Sequence, residues 1–396
     1  MMRYDDHPSG RHFLQIPGPT NVPDRVLRAI DHPTIDHRGP EFARLGLSIL
    51  ARIGQVFGTR RDPVVIYAGS GTGAWEAAMV NALSPGDRIL MAETGHFSLL
   101  WKRLAERLTL TPEFLPGDWR HGADPRAIGA RLAEDRGHAI KAVCVVHNET
   151  STGVVSDVAA VRRAIDVAHH PALLVVDTIS SLGSIDYRHD EWGVDITIAG
   201  SQKGLMLPPG LSFNAISSRA REASKTAKLP HAYWGWDEIV EANRNGYWPT
   251  TPATNLLYGL DAALDQLLEE GLPVVFARHA RHGAATRAAL AAWGLENQCA
   301  DPAQFSNSLT AVRMPEGHDA DAFRRIVLER FDLSLGTGLS KLAGRVFRIG
   351  HLGDLNDLTL AGTLAGVEMG LSLAGTPHSR GGVDAAMALL MMGKPA

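Results

Sequence analysis

The chain has 396 residues, 45% of them hydrophobic, which is enough to bury one large core and a second, smaller one. Its 39 basic and 43 acidic residues leave a net charge of −4, so there is no positive field for nucleic acid or an anionic membrane surface, and small-molecule substrates are expected. Two cysteines, Cys144 and Cys299, make no C-x-x-C pair, which argues against a disulfide framework or a zinc knuckle and fits a reducing, cytoplasmic compartment.

The opening MMRYDDHPSGRHF contains no apolar signal core, and no apolar run in the chain reaches the ~18 residues of a membrane span. Residues 1–23 read as a polar, proline-broken arm ending in IPGPTNVP (Ile16 to Pro23), followed by a short helix near Asp24 to Ile30. Phe42, Leu45, Ile49, Ile53 and Val56 recur at helical spacing and predict one amphipathic helix over Glu41 to Phe57. Strand-like runs then follow at Val64 to Ala68, Arg88 to Ala92, Ala142 to His147, Leu173 to Asp177, Ile196 to Ala199 and Leu211 to Ile216. Helical segments near Gly73 to Ala82, His96 to Arg107, Pro125 to Asp135 and Val158 to His169 separate them. Alternating α and β units with continuous Val/Ile/Leu strands indicate an α/β domain, its parallel or mixed sheet covered on both faces. Beyond Arg221 come a turn-rich aromatic patch with Trp234, Trp236, Tyr247 and Trp248, then alanine- and leucine-rich helices to about Trp293. A smaller α/β unit follows, with strands near Leu309 to Val312 and Val346 to Ile349 and helices near Ala320 to Arg330 and Asn356 to Leu373. The expected division is a large domain over 24–270 and a small C-terminal domain over 271–396.

Five stretches carry chemistry. ITIAGSQKGLMLPPG (Ile196 to Gly210) presents Lys203 just beyond a strand, with an uncharged approach and an apolar exit, surroundings that lower an ammonium's pKa and favour covalent capture of a carbonyl group. AGSGTGAWEAA (Ala68 to Ala78) turns from a strand into a helix through Ser70, Gly71 and Thr72, where backbone N–H groups suit a phosphate; it matches neither the dinucleotide nor the P-loop fingerprint. LLVVD ends on Asp177, a carboxylate that either pairs with a cation or protonated ring nitrogen or caps the following turn. Asp195 begins its strand, at the opposite end of the sheet from Lys203, and is expected to be structural. VVHNETSTGVV holds Thr150 in a run of short polar side chains that either edges a ring-shaped ligand or is plain turn chemistry. In GHFSLLW, Phe97 at a strand-to-helix junction is either core or an aromatic plate. Finally, VFRIGHLGD places Arg348 inside an apolar strand, where it needs a carboxylate from the chain or from a ligand. A phosphate cradle, a buried acid, a ring plate, a reactive lysine and a carboxylate clamp together meet the requirements of pyridoxal 5′-phosphate.

On PGPTN, AGSGTGAWE, HNETSTGV, VDTISSLG, GSQKGLMLPPG and FRIGHLG, the chain resembles the class V aminotransferases of fold type I over nearly its whole length, most closely the serine–glyoxylate and alanine–glyoxylate family. The resemblance implies Lys203 as the cofactor lysine, Asp177 as partner of the pyridine nitrogen and Phe97 stacked on the ring, where relatives carry tryptophan. It further implies Ser70, Gly71, Thr72 and Gln202 at the phosphate, Thr150 at the ring hydroxyl, and Arg348 at the substrate carboxylate. YWPT resembles the segment whose Tyr247 and Thr250 reach a neighbouring subunit's phosphate, implying a homodimer with shared sites. TIDHRGPEF looks like the serine- and aspartate-using members, with His37 and Arg38 either selecting the donor or lying in a solvated loop. The implied reaction is ping-pong transamination from serine, aspartate or alanine to glyoxylate. Rival readings are a cysteine desulfurase or lyase on the same fold, for which Cys299 is the candidate thiol, a nicotinamide dehydrogenase, and a binding protein without catalysis. Metal catalysis finds only the His279 and His282 pair, without further ligands at a recognised spacing.

Overall fold

A computed structural model describes residues 10–392 of the chain; residues 1–9 of the expected arm lie outside the described residues. The larger sheet has seven strands, ordered Val64–Gly69, Gly210–Ile216, Ile196–Gly200, Leu173–Asp177, Ile140–Val146, Arg88–Ala92 and Thr111–Leu115. All pairings are parallel except those of Gly210–Ile216, which runs antiparallel to both of its neighbours. Strand alternation divides the core into two layers. Val143, Val145, Leu174 and Val176 face one cluster, which takes in Ile49 and Ile53 of helix Pro40–Phe57 and Leu260 and Leu264 of helix Thr254–Glu270. Ala142, Cys144, Val146 and Val175 face the other, with Trp75, Ala78, Trp101 and Ala105. Strands buried on both faces cannot carry a polar alternation, which is why they appear in the sequence as unbroken apolar runs.

Helix Pro40–Phe57 follows from its apolar stripe, with proline at its start and Gly58 closing it at φ +67°, a conformation that disfavours a side chain. A methyl group at Gly58 would also lie 2.8 Å from the Arg188 backbone.

The second sheet runs Phe13–Gln15, Leu333–Thr337, Val346–Gly350, Leu309–Arg313, Glu296–Asn297, backed by a core that includes Trp293, Phe323, Phe347 and Leu364. Its outermost strand comes from the arm: Phe13, Leu14 and Gln15 pair in parallel with Leu333, Ser334 and Leu335. Elements absent from the sequence reading include the strands Phe13–Gln15, Thr111–Leu115, Glu296–Asn297 and Leu333–Thr337 and helix Gly382–Met391. Thr111–Leu115 carries Pro112 and Glu113 and pairs on one side only, an edge position that tolerates a missing N–H donor and hides strand character.

Candidate active site

Chain direction collects the chemistry. The Ser70 loop, Phe97, the Asn148–Thr150 turn, Asp177 and Lys203 all lie at or just beyond the carboxyl ends of their strands, the edge where α/β sheets bind ligands. Asp195 sits at the other end, accepting from the Leu174 N–H at 2.8 Å and the Ser217 hydroxyl at 3.0 Å, which bears out its structural reading.

Lys203, Asp177 and Arg348 are 8%, 4% and 7% exposed. Burial, with Arg348 nearby, lowers the Lys203 amine to about 7, against a smaller upward pull from Asp177. Its Nζ donates to the Pro17 carbonyl at 2.5 Å. Gly18 flanks it at φ +94°, and a methyl group there would lie 2.3 Å from Lys203 Cδ and 2.5 Å from Nζ, so the arm must present glycine to the lysine. Burial raises Asp177 to about 7, opposed by hydrogen bonds from the Ile179 N–H to Oδ1 at 2.7 Å and from Trp75 Nε1 to Oδ2 at 2.9 Å. One oxygen of this aspartate secures the turn, as the capping reading expects; Lys203 lies within electrostatic reach, but among the described residues no ion pair joins the two.

Arg348 ties the second sheet to the Asn148–Thr150 turn. Its Nε donates to the Thr337 carbonyl and its Nη1 to the Thr150 carbonyl, both at 2.8 Å, while Nη2 has no partner among the described residues. Burial lowers it to about 10, leaving it cationic at neutral pH. Glu149, buried beneath, accepts from the N–H groups of Phe97 at 3.2 Å, Ser98 at 3.1 Å and Ser151 at 3.1 Å. It thus fixes the start of helix His96–Arg107 and the half-buried Phe97 ring. The Thr150 hydroxyl donates to Ser180 Oγ at 2.6 Å, and Ser180 in turn donates to the Asn148 carbonyl at 2.8 Å. The HNETST turn is consequently a buried scaffold joining Phe97, Thr150 and Arg348.

The glycine loop opens helix Gly71–Ala82, with Ser70 at its cap accepting from the Gly73 N–H at 3.4 Å. A methyl group at Gly71 would lie 2.4 Å from Ile179 Cδ1, and one at Gly73 would lie 2.9 Å from Trp234. Ser70 and Thr72 are exposed there, and the nearby Gln202 has its Oε1 buried without a partner. Free N–H groups at a helix start and two hydroxyls suit a phosphate; a buried acid suits a protonated ring nitrogen; a near-neutral lysine suits an aldehyde. The residues present fit pyridoxal phosphate.

Other expected residues lie elsewhere. The Tyr247 hydroxyl donates to the Gly39 carbonyl at 3.5 Å, bringing YWPT beside the loop of His37 and Arg38. Thr250 lines a small cavity with Ala68 and Tyr233. His37 is half-buried with Nε2 unpartnered, whereas the Arg38 side chain is exposed. Among the described residues no hydrogen bond or ion pair joins these four to Lys203, Asp177 or Arg348. Cys144 is buried with its thiol pushed up by burial, as an inert small hydrophobe should be. Cys299 is also buried, pushed up to about 11 and bonded to the Asp301 carbonyl at 3.5 Å, unlike a mobile thiolate nucleophile. His279 accepts from the Gly353 N–H and donates to the Val275 carbonyl, and His282 meets Asp357 at 2.9 Å. Sequence reasoning missed Trp75, Gly18, Glu149 and Ser180. Only Trp75 had a local signal: four residues after Gly71, it falls on the same helix face.

The sequence matches the profile of the family described as "Aminotransferase class-V" over residues 12–340. The chain belongs to the class-V aminotransferase family. This class-V aminotransferase is 47% identical to serine–glyoxylate aminotransferase of Arabidopsis thaliana, with 96% of each chain covered. It is equally 47% identical to L-aspartate–glyoxylate aminotransferase of Paracoccus denitrificans, over 94% of each. Its fold is similar to the solved structure of ureidoglycine–glyoxylate aminotransferase from Bacillus subtilis, with a TM-score of 0.89 at 26% identity, covering 98% of this chain and 100% of that one. It is a fold type I, pyridoxal phosphate-dependent aminotransferase. No helix among the described residues is long and apolar enough to cross a membrane.

Proposed function

We propose that this enzyme transfers the amino group of a small amino acid, serine, aspartate or alanine, to glyoxylate, giving glycine and a 2-oxo acid in a ping-pong cycle. The names of the relatives at 47% identity support the substrate class. The observation that carries the chemistry is a buried lysine, its pKa lowered toward neutrality, within electrostatic reach of a buried acid and a buried arginine.

Bound pyridoxal phosphate supplies an aldehyde for Lys203 and a ring that withdraws electrons from the donor Cα. Lys203 Nζ, its amine pKa lowered by burial, takes the proton from that Cα; in the second half-reaction it places one on the carbonyl carbon of glyoxylate, which becomes Cα of glycine. Asp177 keeps the ring nitrogen protonated, and Phe97 covers the ring face. Ser70, Gly71, Thr72 and Gln202 hold the phosphate, and Thr150 meets the ring hydroxyl. Arg348, with two nitrogens anchored and Nη2 open, binds the substrate carboxylate and turns Cα–H toward Lys203. Tyr247 and Thr250 reach the partner subunit's phosphate in a homodimer, and the adjoining His37 and Arg38 help select the donor. We place the division of the chain near residue 270, where helix Thr254–Glu270 ends at Gly271, and the enzyme in a reducing, cytoplasmic compartment, in keeping with its two unpaired thiols.

A donor panel against purified enzyme, followed by an acceptor panel, tests the assignment. Serine, aspartate or alanine should convert the bound cofactor to its aminated form, and glyoxylate should restore it faster than pyruvate or 2-oxoglutarate. Restoration only by other oxo acids would contradict the proposal.

A further inference from the structure

Trp75 is unusual among the buried aromatics because its polar atom has a catalytic-site partner. The side chain is 1% exposed, and its Nε1 donates to Asp177 Oδ2 at 2.9 Å. The other carboxylate oxygen is already held by the Ile179 N–H at 2.7 Å, so these two donors together fix the plane of the carboxylate. The indole lies parallel to that of Trp101, with ring centroids 5.8 Å apart and 13° between planes. Both tryptophans sit on helices that start at the site, Gly71–Ala82 and His96–Arg107. Trp75 therefore reads the acid from the helix whose first turn cradles the phosphate.

We infer that Trp75 is the positioning residue for Asp177: its indole N–H sets the edge of the carboxylate that meets the cofactor's ring nitrogen and favours the ionised acid. The inference rests on the assignment of Asp177 to that nitrogen. A buried carboxylate with one donor removed has two ways to relax, by rotating about χ2 or by taking up a proton, and either weakens its hold on a protonated ring. The second oxygen has room to accept twice, so Trp75 and the ring nitrogen need not compete. Trp101 supplies an internal control. It is equally buried and belongs to the same stack, but its Nε1 has no hydrogen-bond partner.

The test compares Trp75→Phe with Trp101→Phe, each stripped of cofactor and titrated with pyridoxal phosphate, and follows the pH midpoint of the bound cofactor's absorbance. Trp75→Phe should bind the cofactor about tenfold more weakly, a loss typical of a hydrogen bond to a charged group, and should shift the spectral midpoint. Trp101→Phe should do neither, although both lose similar packing. Trp75→His, which keeps a ring N–H, should recover part of the loss. Should phenylalanine at 75 fail to fold, replacing the Trp75 indole with its benzothiophene isostere removes the N–H at constant shape. Equal effects in the two phenylalanine variants, or an isostere that binds and titrates like the parent, would overturn the inference. Asp177→Asn separates the two levels: if it too binds and titrates normally, the acid's own assignment falls, and Trp75's role with it. If Asp177→Asn is impaired and Trp75→Phe is not, only the present inference falls.

Discussion

Lys203 shows how burial prepares reactivity. The amine loses most of its preference for the charged form because it is out of water, and Arg348 adds to that effect. Since a depressed amine pKa means that the neutral, nucleophilic fraction grows as pH rises through about 7, cofactor-free enzyme should react with an amine-directed reagent at Lys203 with a half-maximal rate near pH 7. A rate still climbing toward the ordinary lysine range, about pH 10, would contradict this. Lys203→Ala should reduce turnover at least about a thousandfold in steady-state assays, because both proton transfers lose their base. Arg348→Lys keeps the charge but loses the fork, whose Nε and Nη1 are already spent on the Thr337 and Thr150 carbonyls. It should lower kcat/KM for donor and acceptor alike by about 10- to 100-fold.

At the scale of elements, the site depends on how strand ends are tied together. Glu149 takes three backbone N–H groups and the Ser151 hydroxyl, joining the start of helix His96–Arg107 to the turn that supports Arg348. Glu149→Gln puts an amide N–H₂ among those donors, and should destabilise the protein by about 1–3 kcal/mol, read as a lower thermal midpoint with weakened cofactor binding. Gly18→Ala tests the arm: a methyl group so close to Lys203 should cut turnover sharply while the circular dichroism spectrum is unchanged. The reactive groups were legible in the sequence because each marks a departure from its surroundings, a lysine, acid or arginine bordering an apolar strand. The ties between them were not. Glu149 and Ser180 look like turn residues until the fold brings Phe97, Thr150 and Asn148 to them, and Gly18 meets Lys203 from 185 positions away in the numbering.

For the whole molecule, the α/β alternation and most of the larger sheet could be read from the sequence, since strands buried on two faces leave unbroken apolar runs between helical segments. The strand Phe13–Gln15 could not, because three residues have no periodicity and its partner Leu333–Leu335 is remote in sequence. Tyr247 and Thr250 belong to the same scale: if they serve a partner's site, Lys203→Ala and Thr250→Arg subunits, each inactive alone, should regain activity when refolded together, up to about a quarter of wild type. Failure to complement while the mixed dimer forms would count against shared sites. The cofactor lysine is tested most directly by borohydride reduction of the holoenzyme followed by peptide mass analysis. A phosphopyridoxyl mass should appear on the peptide carrying Lys203 and on no other; an active enzyme labelled at a different lysine, or at none, would overturn the assignment of Lys203.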